Sequence, residues 1–171
     1  MKLIRSLRLF LSFFFMGTCS IFAQGEKTMS ALPKAAVLNV DASGLAEDQK
    51  MLGNLLRLEL QKLHRYHVMD KYDMQDLLSG SEIDLMNCYS TRCLLDAGRI
   101  LKVDKMITCN AEKFMDKIIL TIKIVDIASG EVEAAEVGEY LNMPEELQNM
   151  LKLSLNELLG IENEPKMVSK L

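Results

Sequence analysis

The segment KIILTIKIVDI, Lys117 to Ile127, constrains this chain more than any other stretch. Ile118, Leu120, Ile122 and Ile124 fall on one side of an extended backbone, and Ile119, Thr121, Lys123 and Val125 fall on the other. A period of two in β-branched residues predicts a strand with one face in the core. DIASGEV then reverses the chain. Asp126 and Ser129 can bond local backbone, and Gly130 can take a positive φ. Val132 to Tyr140 is expected to pair back as a hairpin, so the carboxyl-terminal half is built on antiparallel strands.

The segments before it read differently. Ala36, Val37, Leu38 and Val40 form a short, nearly continuous apolar strand that Asp41, Ser43 and Gly44 end. From Leu45 to Leu63 the spacing of Leu45, Leu52, Leu55, Leu56 and Leu63 predicts a helix. Glu47 and Asp48 fall in its first turn and Lys62 at its end, as the helix dipole prefers. Tyr66 to Lys71 reads as a second strand and YDMQDLL as a short helix broken by Ser79 and Gly80. Ser90 or Thr91 caps the next helix, with Leu94, Ala97 and Leu101 facing inward, and Met106 to Asn110 is a strand. Pro144, with Glu145 and Glu146 behind it, opens a last helix that buries Leu147, Met150, Leu151, Leu155 and Leu158. Gly160 closes it. The order predicts an α/β domain. Its mixed sheet of about five strands is packed by two long helices and one or two shorter ones, and the first two strands are parallel through their helix.

The amino terminus sets the compartment. Lys2, Arg5 and Arg8 precede an apolar run rich in phenylalanine, and smaller residues follow up to Ala23. This is the order of a secretory leader, with cleavage expected between Ala23 and Gln24. The uninterrupted apolar run is shorter than the roughly 20 residues a membrane span needs. Cys19 stands where a lipidated cysteine would, but Thr18 before it fits a lipobox poorly. Membrane association is expected only if Cys19 carries lipid. The expected plan is a leader over residues 1–23, a flexible segment over 24–33, one domain over 34–160 and a flexible tail over 161–171.

The chain carries a formal charge of −4, and removing the three basic residues of the leader takes it to −7. An acidic domain with no basic cluster argues against nucleic acid and anionic lipid as partners.

The runs AVLNVDASGL, YHVMDK, CYSTRCLLDAGRILKVDKMI and LTIKIVDIASGEV together resemble a family of bacterial envelope domains. It is the domain of CsgG-like secretion proteins, of LpoB-type activators of penicillin-binding proteins, and of the TolB amino terminus. The resemblance covers about Lys34 to Val132. It implies a TolB-like and CsgG-like α/β fold and an accessory role in envelope assembly or secretion. The implied partner is an envelope protein or a second copy of the chain, with no cofactor and no catalysis. A fold alone does not specify a function.

Cys88 and Cys93 admit three readings: a metal pair, a redox pair or a disulfide. Outside the reducing cytosol the disulfide is favoured, and redox catalysis prefers two intervening residues rather than four. Zinc would need His64 and His67 as further ligands, but one ends a helix and the other begins a strand. Cys109, inside an apolar strand, reads as a buried thiol. Asp41, Asp70, Asp104 and Asp126 all stand at strand ends, where carboxylates usually serve turns. The alternative reading is a small envelope enzyme or metal-dependent protein using His64, His67 or these aspartates. The twelve methionines read as core filler.

Overall fold

The computed structural model of the protein describes residues 31–42, 44–45 and 49–165. The expected leader with Ala23, Gln24 and Cys19, and the acidic pair Glu47 and Asp48, lie outside the described residues.

The elements in chain order are β1 (Lys34–Val37), α1 (Gln49–Lys62), β2 (His67–Val68), α2 (Lys71–Leu78), α3 (Thr91–Leu101), β3 (Lys105–Phe114), β4 (Lys117–Asp126), β5 (Val132–Leu141) and α4 (Leu147–Leu158). A 3₁₀ turn over Pro144–Glu146 leads into α4. The five strands form one mixed sheet in the order β2-β1-β3-β4-β5. β1 runs parallel to both β2 and β3, whereas β3, β4 and β5 form an antiparallel meander. The α/β class, the five strands and the parallel first pair are as expected.

The core has two parts because the sheet has two faces. Alternation along β1 sends Ala35 and Val37 to one and Ala36 and Leu38 to the other. The first face carries Ile118, Leu120, Ile122 and Ile124 under α1 and α4. The second packs Met106 and Val125 against α2 and α3, with Met74, Leu94 and Ala97. Gly53 lets α1 close down on the chain leaving β1: a Cβ there would stand 2.7 Å from the Leu38 carbonyl oxygen.

Several boundaries differ from expectation for local reasons. β2 is two residues long because Asp70 turns out of the sheet to cap α2, its carboxylate accepting from the Tyr72 N–H at 2.7 Å. β3 continues past Asn110 to Phe114, where its polar outer half is paired residue for residue with β4. Described helix α1 starts at Gln49 and buries Leu60, Arg57 and Glu59 besides the expected Leu52 and Leu56, while Leu45, Leu55 and Leu63 are only partly buried. Buried Glu59 accepts from Lys62 Nζ at 2.6 Å and from Gln148 Nε2 at 2.7 Å, which ties α1 to α4. The Pro144 turn is 3₁₀ rather than the first turn of α4. Beyond Gly160, the Ile161 N–H donates to the Asn156 carbonyl, and Asn163 accepts from the Asn156 side chain.

Candidate functional site

β5 forms one border of the sheet, paired along its whole length with β4 and with no strand beyond it among the described residues. The direction of its backbone groups follows from the ladder. The Asn142 N–H donates back to Asp116, and antiparallel bonding alternates residue by residue. Residues 134, 136, 138 and 140 therefore turn toward β4, and Ala135, Val137 and Glu139 turn their N–H and C=O outward. β2, the opposite border, offers two residues.

The side chains around this edge are acidic and apolar in turn. Glu131, Glu133 and Glu139 are exposed, as are Val132, Val137 and Leu141. At the far end the β3–β4 turn projects Phe114 and Met115, the latter 79% exposed, with Met115 at a φ of 56°. Three ion pairs, made by two lysines, pin the meander. Lys117 Nζ lies 2.7 Å from Glu139, across the β4–β5 ladder. Lys105 Nζ lies 2.5 Å from Asp126 and 2.6 Å from Glu133, so one ammonium on β3 reaches both other strands. These contacts raise the Lys105 pKa and hold Asp126 below the usual carboxylate range, helped by the Ser129 N–H. The Lys117 contact likewise lowers the Glu139 pKa. Lys105 between two acids is invisible until the register places all three together.

Beneath the edge, α4 supports β5. Tyr140 lies across Gly138 and meets Ser154, and burial raises the Tyr140 pKa.

The other residues singled out in the sequence are dispersed. Asp41 bridges Asn110 through its backbone, Asp70 caps α2, and the Asp104 carboxylate accepts from the Lys34 N–H at 2.7 Å. Asp126 serves the ion pair and the hairpin turn. His64 sits in the turn after α1 with a φ of 51°, His67 lies in β2, and both are exposed. Among the described residues, no group of three or more His, Cys, Asp or Glu side chains gathers as metal ligands. No described helix is long and apolar enough to cross a membrane.

Cys88 and Cys93 are joined as a disulfide with Cα atoms 5.4 Å apart. Ser90 caps α3 by accepting from the Cys93 N–H, which puts Cys93 in the first turn while Cys88 sits buried in the second core. The two sulfurs are thus used on each other. Cys109 is free and buried, and burial pushes its thiol pKa up to about 12.

No family model and no curated protein matches the chain. Solved structures do. The LpoB C-terminal domain from Salmonella enterica superposes with a TM-score of 0.57 at 10% identity, covering 66% of this chain and 84% of that one. Lipoprotein GNA1162 from Neisseria meningitidis gives 0.55 at 11% identity, covering 76% and 97%. The PelC dodecamer from Paraburkholderia phytofirmans gives 0.50 at 10% identity, covering 74% and 87%. The strand order, the parallel first pair and the helices on both faces make this chain an α/β domain with the fold of the LpoB C-terminal domain.

Proposed function

We propose that the protein is a non-enzymatic accessory module of the bacterial cell envelope that works by binding another envelope protein. It would be exported on its leader, cleaved after Ala23, and fastened in the oxidising compartment by the Cys88–Cys93 disulfide. The shared fold with LpoB domains and an envelope lipoprotein supports the compartment and the class of role. The observation that carries the mode of binding is the β5 edge, whose outward backbone groups at Ala135, Val137 and Glu139 can accept an added strand. Its glutamates repel an identical edge and favour a partner strand bearing lysine or arginine.

Ala135→Pro tests this. The substitution removes an outward donor while sparing the β4 ladder. With circular dichroism unchanged, crosslinks from intact envelopes to the partner should weaken. Persistence of those crosslinks would move the binding surface to a helical face. A second reading, a homo-oligomer, is supported by the dodecameric state of PelC. Sedimentation of the mature protein separates it from the first.

A further inference from the structure

A cleft of about 350 Å³ opens beyond the carboxyl end of β1. The chain leaves β1 for α1 on one face of the sheet, and leaves β2 for α2 on the other. The two helices diverge there, and crevices at such points are where parallel α/β sheets hold ligands. Its volume lies within the range of small-molecule sites.

The lining is unlike the rest of the chain. Arg57 enters from α1 and is 8% exposed. Its NH1 donates to Asn54 Oδ1 at 2.7 Å and its NH2 to the Val37 carbonyl at 2.6 Å, while Nε is buried with no acceptor. Among the described residues no carboxylate forms an ion pair with it. Its direct acceptors are thus neutral; among the described residues the only carboxylate acting on it is Asp70, whose field opposes the burial that lowers the Arg57 pKa, so much of its charge is left for a ligand to meet. Lys71, in the first turn of α2, lines the same space, with its ammonium 4.8 Å from the Tyr72 ring centre. Among the described residues no aspartate or glutamate lines the cleft, although the chain is acidic overall. Leu38, Met74 and Met86 provide apolar wall. The wall is fixed rather than loose: Asn39 Nδ2 donates to the Leu85 carbonyl at 2.9 Å. The disulfide anchors the same loop two residues beyond Met86.

We propose that this cleft binds a small organic oxyanion, a phosphate or carboxylate on an apolar body. Arg57 supplies the inner charge, Lys71 the outer one, and the methionine and leucine wall takes the body. The site is separate from the β5 edge and stands or falls without it.

The test is an amide NMR titration of the mature, disulfide-intact protein with phenyl phosphate, benzoate and inorganic phosphate in parallel, and with phosphatidylglycerol vesicles. Saturable shifts at Asn39, Asn54 and Gln75 with phenyl phosphate or benzoate are expected, and the stronger of the two names the anion. Inorganic phosphate should bind more weakly, since it leaves the apolar wall uncovered. Lys71→Glu, at a partly exposed position, should weaken binding about tenfold or more. Arg57→Lys, checked by circular dichroism, keeps the charge but loses the fork and should also weaken it. Absent or unsaturable shifts, shifts unaffected by Lys71→Glu, or binding to vesicles alone would each overturn the proposal.

Discussion

The Tyr140 hydroxyl lies 2.7 Å from the Ser154 hydroxyl in a buried contact that joins β5 to α4. Gly138 makes the contact possible, because a Cβ there would stand 2.6 Å from the Tyr140 ring and 2.7 Å from Ser154 Oγ. Gly138→Ala should therefore force Tyr140 or α4 to move and destabilise the fold by about 1–3 kcal/mol. Tyr140→Phe should cost about 1–3 kcal/mol by leaving the Ser154 hydroxyl buried without this partner. Urea midpoints with unchanged slopes would show both losses. Midpoints equal to the parent would mean α4 does not hold the edge strand.

Thiol chemistry distinguishes the cysteines. Denatured without reductant, the cleaved protein should show one reactive thiol, Cys109. Folded, it should react slowly, since Cys109 is buried and its pKa is raised to about 12. Cys93→Ala should lower stability by roughly 2 kcal/mol, the chain-entropy value for so short a loop. Three thiols in the native chain would exclude the disulfide.

Asp126 gives the fold an acid limb. Its pKa is depressed by Lys105 and by the Ser129 N–H. A depressed carboxylate lends stability that is complete above its unfolded pKa, near ~3.9, and is lost as pH falls toward the folded value. The gap in stability between parent and Asp126→Asn should then be widest near neutrality and close below about pH 4. Denaturant titrations across that range measure it. A gap that stays constant in acid would remove the ion pair as its cause.

Export is read from the mature amino terminus. Mass spectrometry of protein from intact cells should find a chain beginning at Gln24 or one bond away. A diacylated Cys19 instead would make the protein a membrane-tethered lipoprotein.

What was legible in the sequence followed periodicity. The alternation of Ile118 to Val125 marked β4, and Leu94, Ala97 and Leu101 marked the inner face of α3, because each pattern matches one backbone period. Polar residues inside the structure were not legible. Arg57 and Glu59 lie on the buried side of α1, where each bonds a group from a different element. The outer half of β3, with Glu112 and Lys113, carries no apolar signal and is extended by its pairing with β4. Asp70 stood in a strand pattern, but its side chain made a better cap. The anionic edge was visible as a run of glutamates. Its outward backbone groups needed the register, and the cationic cleft needed both helices in place.

The unequal borders of the sheet limit stoichiometry. Polymerising strand by strand requires a donor and an acceptor edge of useful length on every copy. Among the described residues, one border is ten residues long and the other two. A strand added at β5 would therefore end the sheet after a single event. Used in the proposed way, this surface would make the molecule monovalent: it would close a one-to-one complex, with only the two residues of β2 at the other border from which a fibre could grow.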